Sequence, residues 1–130
     1  MEKKMLKGYL IDPEILHCEV VEIEDKNGRL ENFYNLLRCD LIDITSRKIG
    51  GRSFDIVCDD EGLFKTPRFA SACYEDGNVA LVGAIFICNY GGNGELSSLT
   101  DTDIHLIESS IRLYNDDGVL RPVLLLSSYF

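Results

Sequence analysis

Three consecutive carboxylates, Asp59-Asp60-Glu61, closed by Gly62, form the densest group of chemically capable side chains in this sequence. Hard divalent cations take carboxylate oxygens as ligands. Asp40 and Asp43 lie upstream, and Arg47, Lys48, Arg52 and Arg68 supply cations around them. An arginine can grip a carboxylate or phosphate through two parallel hydrogen bonds, which makes Arg47, Arg52, Asp59, Asp60 and Glu61 the candidate binding residues. In the plainer case these arginines form exposed ion pairs of small energetic value. A metal is not expected. Successive strand residues point to opposite faces, so three adjacent carboxylates converge only if a strand ends there, and no calcium-loop pattern surrounds them. The expectation is an acidic corner without metal or cofactor.

The other chemical patterns are incomplete. Glu24-Asp25-Lys26 has the acidic-x-Lys form of metal-dependent nucleases, but it falls at a polar turn with no aspartate placed in a hairpin partner. Gly91-Gly92-Asn93-Gly94 leads from an apolar strand toward a helix start, a place where phosphates sit. It lacks the lysine of a P-loop and the spacing of a dinucleotide fingerprint, and Glu95, Asp101 and Asp103 would repel a phosphate. His17 and His105 have no serine or cysteine partner arranged as a nucleophile elbow. The five cysteines, Cys18, Cys39, Cys58, Cys73 and Cys88, form no C-x-x-C pair. They read as reduced core residues of a reducing compartment. No catalytic constellation is complete, so an enzyme is not expected.

The elements that must position these residues follow from periodicity. Met5 to Asp12 and Cys18 to Glu24 read as strands, with Asp12-Pro13-Glu14 turning between them. Leu30, Phe33, Tyr34 and Leu37 give the apolar stripe of a helix from about Arg29 to Arg38. Leu41 to Ile49 and the stretch from Ser53 to Asp59 form a hairpin around Gly50-Gly51, a dipeptide that tolerates the positive φ of a tight turn. In its second strand Phe54, Ile56 and Cys58 alternate with Ser53, Asp55, Val57 and Asp59, which predicts one buried and one largely polar face. Phe69 to Tyr74 suggests a short helix after Pro67. Val79 to Cys88 is almost continuously apolar and reads as one interior strand, with Gly83 marking a bulge or close backbone approach. Thr100 with Asp103 three residues on is a capping signal. Ile104, Ile107, Ile111 and Tyr114 give the following helix its stripe, ended by Asn115-Asp116-Asp117-Gly118.

These elements predict an α+β fold in a single domain spanning residues 1–130. It would be a mixed, mainly antiparallel sheet of about 5–6 strands with two packed helices. Val123 to Phe130 is apolar and must either complete this sheet or pair with a second copy. The second course, a homodimer, is the one favoured here.

Composition fits that class. The chain has 130 residues, 45% hydrophobic and 27% charged, enough to bury a core without disulfide or metal staples. Its longest apolar run is about half of the ~20 residues a membrane helix needs. Met1-Glu2-Lys3-Lys4 is not followed by a signal-peptide pattern. A cytoplasmic protein with no membrane partner is expected. Thirteen basic against 22 acidic side chains give a net charge of −9. Phosphate-directed binding needs a basic face, so direct nucleic-acid binding is disfavoured and a partner with a basic surface is favoured.

Several short stretches resemble a family of small proteins of bacteriophages, prophages and conjugative elements, catalogued as a domain of unknown function. They are Lys7-Gly8-Tyr9-Leu10-Ile11-Asp12, Asp43-Ile44, Ser46-Arg47-Lys48-Ile49-Gly50-Gly51, Asp55-Ile56-Val57 and Asp60-Glu61-Gly62-Leu63. Pro67, Ala70, Val82-Gly83, Ile85-Phe86-Ile87 and Leu99-Thr100-Asp101 continue the likeness, which covers roughly residues 5 to 112. The resemblance implies a mobile-element origin in a bacterial cytoplasm and no particular reaction. The function expected is that of a non-enzymatic accessory protein that binds, and in one form inhibits, a host protein with a basic surface, such as a defence factor. The alternative is a small-ligand or nucleotide module using residues 91–94.

Overall fold

The computed structural model describes residues 4–25, 29–91 and 95–127. In chain order its elements are β1 (Met5–Asp12), β2 (His17–Glu24), α1 (Arg29–Leu37), β3 (Ile42–Ile49) and β4 (Arg52–Asp59). A single 3-10 turn, Gly62–Phe64, precedes β5 (Ala70–Tyr74), β6 (Val79–Val82), β7 (Ile85–Tyr90) and β8 (Leu96–Ser97). Then come α2 (Asp101–Ser109), β9 (Ile111–Asp116) and β10 (Val119–Leu126).

The strands form two sheets rather than the one of 5–6 strands expected. The larger has the order β2-β1-β7-β4-β3, with β8 on the end of β7, and all its pairings are antiparallel. The smaller runs β6-β5-β10-β9, with β5 and β10 parallel and its other pairs antiparallel. The mainly antiparallel α+β class and the two helices are as expected. Among the described residues no helix is long and apolar enough to cross a membrane.

The larger sheet is the middle layer. Leu10, Val57, Phe86 and Cys88 face α1, whose Phe33 and Leu37 are buried against them. Tyr9, Ile11, Phe54, Ile56, Ile85 and Ile87 point the other way, against Ala72, Leu81, Leu124 and Leu126 of the smaller sheet and Ile107 of α2. The middle of the polar face expected for β4 is therefore buried as well, because there β4 lies inside a sheet covered on both sides, while Ser53 at its start stays exposed. Val57 is fully buried, and the buried Asp55 carboxylate accepts from the Ser46 hydroxyl at 2.8 Å. At Gly8 the Phe86 ring takes the space of a side chain: a Cβ there would lie 2.2 Å from its Cζ. Phe86 also meets Phe33 edge-on, with ring centroids 5.4 Å apart.

The run from Val79 to Cys88 is two strands in different sheets. Gly83, at φ +84°, turns the chain between them while its N–H donates to the Phe69 carbonyl. β7 is interior as expected. β6 is an edge strand, and Val79 is 55% exposed. Residues 70–74 extend as β5 instead of coiling. α2 stops at Ser109, where the Ser109 and Ser110 hydroxyls both donate to the Leu106 carbonyl. Ile111 and Tyr114 consequently lie on β9. In α1, Leu30 stays 54% exposed, and the helix contacts the sheet through its later turns. The apolar C-terminal stretch forms β10, paired on both sides within its own chain, with residues 128–130 outside the described ones. That pairing removes the reason for which a second copy was invoked.

Candidate functional site

β4 carries charge at both ends, and the two ends are built differently. At its start, Gly50 and Gly51 adopt φ of +58° and +84°, as their turn demands, and Arg52 follows at once. Arg52 lies over the Phe54 ring at 5.4 Å and pairs through Nη2 with Oδ1 of Asp103 at 2.5 Å. The Oδ2 atom of Asp103 accepts from the Thr100 backbone N–H at 2.8 Å and from Asn89 at 3.0 Å. The Thr100 hydroxyl in turn accepts from the Asp103 N–H, completing a capping box at the start of α2. Burial opposes ionisation of Asp103. The Thr100 hydrogen bonds and the Arg52 charge outweigh it and hold the carboxyl below its ordinary range.

Seven residues on, roughly 23 Å at about 3.3 Å per residue, β4 ends at Asp59. Its carboxylate accepts from the Glu61 N–H at 2.9 Å and pairs with Lys65 at 2.6 Å. The hydrogen bond from Lys65 to Asp59 raises the lysine pKa. The Asp60 N–H donates to the Leu41 carbonyl at 3.0 Å, and the 3-10 turn closes with Phe64 N–H to Glu61 carbonyl at 3.0 Å. Gly62 is required here, since a Cβ would stand 2.8 Å from the Val82 carbonyl oxygen. Arg68 holds the Leu63 carbonyl at 3.1 Å. The turn is thereby fixed on all sides, yet Leu63 and Phe64 project into solvent at 61% and 86% exposure.

The five candidate residues are thus not gathered into one site. Arg52, itself half-exposed, is paired with the buried Asp103 at the far end. Arg47, on the edge strand β3 opposite Phe54, donates to the Thr45 hydroxyl at 2.6 Å and the Ser46 carbonyl at 3.3 Å. Asp59 is held by Lys65, whereas Asp60 and Glu61 are exposed. Asp40 and Asp43 are exposed beside them. The field of Asp40 reaches Lys65, and Asp43 shares with Asp59 and Asp60 a surface recess of about 150 Å³ floored by Cys58, Ala80 and Leu81. Burial, reinforced by these carboxylates, pushes the Cys58 thiol up to about 11, so it stays protonated at neutral pH. Among the described residues no three His, Cys, Asp or Glu side chains are placed to hold a metal ion.

The remaining sequence signals have structural settings. Asp25 binds Lys4 at 3.4 Å and Arg29 at 3.1 Å, tying β2 to α1, while Lys26 is outside the described residues. His17 pairs with Glu19 at 2.8 Å on an exposed edge. Gly91 enters a hairpin between β7 and β8, so the chain reaches a strand before α2, and the first turn of α2 is occupied by its own cap. Residues 92–94 are outside the described ones.

Residues 6–112 match the domain of unknown function DUF3846. The chain belongs to the DUF3846 family. The matched region contains the larger sheet except for Met5, the first residue of β1, with both helices and the acidic turn, and it ends at the second residue of β9. No curated protein and no solved structure matches this DUF3846 chain.

Proposed function

We propose that this DUF3846 protein is a non-enzymatic accessory protein of a mobile element that binds a host macromolecule with a basic surface, using the acidic end of β4. One observation carries the reading. Asp40, Asp43, Asp60 and Glu61 are exposed around one turn, and none is paired with a cation among the described residues. Other carboxylates of the chain are closely paired, as at Asp12 with Arg38 at 2.9 Å and Asp116 with Arg121 at 2.7 Å, but the four around this turn are gathered together without a cation among the described residues. Unpaired like charges gathered on a fixed turn repel one another and steer an oppositely charged partner. The mobile-element origin and bacterial cytoplasmic setting rest on the family resemblance in the sequence. Inhibition of a defence factor is the form of binding that suits both. The test is capture from bacterial lysate with wild-type protein and the Asp60→Lys/Glu61→Lys variant side by side. A basic protein retained by the wild type and lost with the variant supports the reading. Equal capture by both overturns it.

A further inference from the structure

We infer that the partner of the acidic turn is a protein presenting an apolar contact surface framed by lysines or arginines, and that Phe64 is the anchor that enters it. The inference rests on the binding role proposed for this turn. It adds an observation that charge alone does not supply. Phe64, the most exposed large apolar side chain among the described residues, stands beside Leu63 at the tip of the turn, with Leu41 half-exposed next to Asp60. An apolar centre inside a charged rim is the anatomy of a protein interface, and aromatic anchors dominate such interfaces energetically.

The backbone beneath Phe64 explains why it is presented and not folded back. Its N–H is bonded to Glu61, the next N–H reaches Gly62 at 3.3 Å, and the Gly62 backbone lies against Val82 with no room for a side chain. A pre-fixed turn loses little backbone freedom on binding, so more of the contact free energy appears as affinity. The charge around it selects the partner. Asp40, Asp43, Asp60 and Glu61 would be desolvated against an acidic or neutral rim and compensated against a basic one. A nucleic acid, whose rim is phosphate, is excluded by the same argument.

The test uses three synthetic amphipathic helical peptides: one with a leucine stripe flanked by lysines, one with glutamates for the lysines, and one with serines for the leucines. Each is titrated into isotope-labelled wild type, Phe64→Ser and Asp60→Lys/Glu61→Lys while amide shifts are followed. Melting temperatures confirm that the variants fold. The leucine–lysine peptide is expected to shift amides at residues 40–43 and 59–65 of the wild type and to bind Phe64→Ser about tenfold or more weakly. The glutamate peptide is expected not to bind, and the serine peptide to bind as weakly as the Phe64→Ser complex. If Phe64→Ser binds as well as wild type while charge reversal abolishes binding, the anchor is wrong and the acidic reading survives. If charge reversal has no effect, or the shifts map elsewhere, both fail.

Discussion

The two ends of β4 use the same residue types to opposite purpose. At the first end the carboxylate is taken inward and a half-exposed Arg52 covers it. Asp103 is wholly buried, yet it is met by the Arg52 guanidinium, the Asn89 amide and the Thr100 N–H. At Asp59 only one carboxylate is paired, and four others are left in water near the turn that carries an exposed phenylalanine. A buried carboxylate must be satisfied or the fold suffers, so the first end is explained by stability alone. The second end is not. Burying a phenylalanine is worth about 1.5–3 kcal/mol, and the hydrogen-bonded turn leaves that gain unrealised in the free protein. Charged groups that are satisfied inside belong to folding, while those left exposed and unpaired outside are the ones for which recognition is proposed.

The comparison is broken most forcefully at Asp103. Asp103→Ala removes the capping box and strands Asn89 and Arg52, and it is expected to destabilise the protein by about 2–4 kcal/mol. Urea denaturation reads this as a lower midpoint at unchanged slope. Gly62→Ala comes next. Its Cβ would press on the Val82 carbonyl, costing about 1–2 kcal/mol as overpacking, and by displacing Phe64 it should weaken partner binding more than its stability effect implies.

Acid separates the two ends without mutation. The folded pKa of Asp103 lies below its ordinary value of 3.8. Its ionisation therefore stabilises the fold fully above that value, and the contribution disappears as pH falls through the lower, folded pKa. Wild-type stability should drop more steeply below about pH 4 than that of Asp103→Asn, and thermal melts from pH 5 to pH 2 check this. Parallel acid profiles would show that Asp103 gains nothing from its surroundings. The smallest stability effect belongs to Asp60→Lys/Glu61→Lys, expected within about 0.5 kcal/mol of wild type because both side chains are exposed and unpaired.

Much of this scaffold was legible in the sequence, and the failures have particular causes. The alternation of β1 and β2, the stripe of α1, the Gly50-Gly51 turn and the Thr100–Asp103 cap are local signals, and each element formed where its signal lay. Asp117-Gly118 is also local and was misread as a helix stop. With φ of +50° and +91°, and the Gly118 N–H on the Asn115 side chain at 2.7 Å, it is a hairpin turn of the Asp-Gly kind. Reading it so would have turned Ile111 and Tyr114 from helix to strand. The run from Val79 to Cys88 failed for another reason: apolar composition reports burial but not which sheet does the burying, and Gly83 divides it between two. At the candidate site the carboxylates were visible and Phe64 was not. A phenylalanine in a sequence reads as core, and only the surrounding backbone shows that it faces water. The supposed gathering of Arg47 and Arg52 with Asp59 was an effect of sequence proximity, since a strand carries its two ends apart.

The measurement that tests this account most directly is a matched pair of thermal denaturations, Arg52→Ala/Asp103→Ala against Asp60→Lys/Glu61→Lys, with capture of the basic partner scored on the same samples. The first pair is expected to lower the melting temperature by about 10 °C or more, a few degrees per kcal/mol for a domain of this size, and still to capture the partner below its transition. The second pair should melt within about 2 °C of wild type and capture nothing. A second pair that melts as early as the first, or that captures the partner as well as wild type, would contradict it.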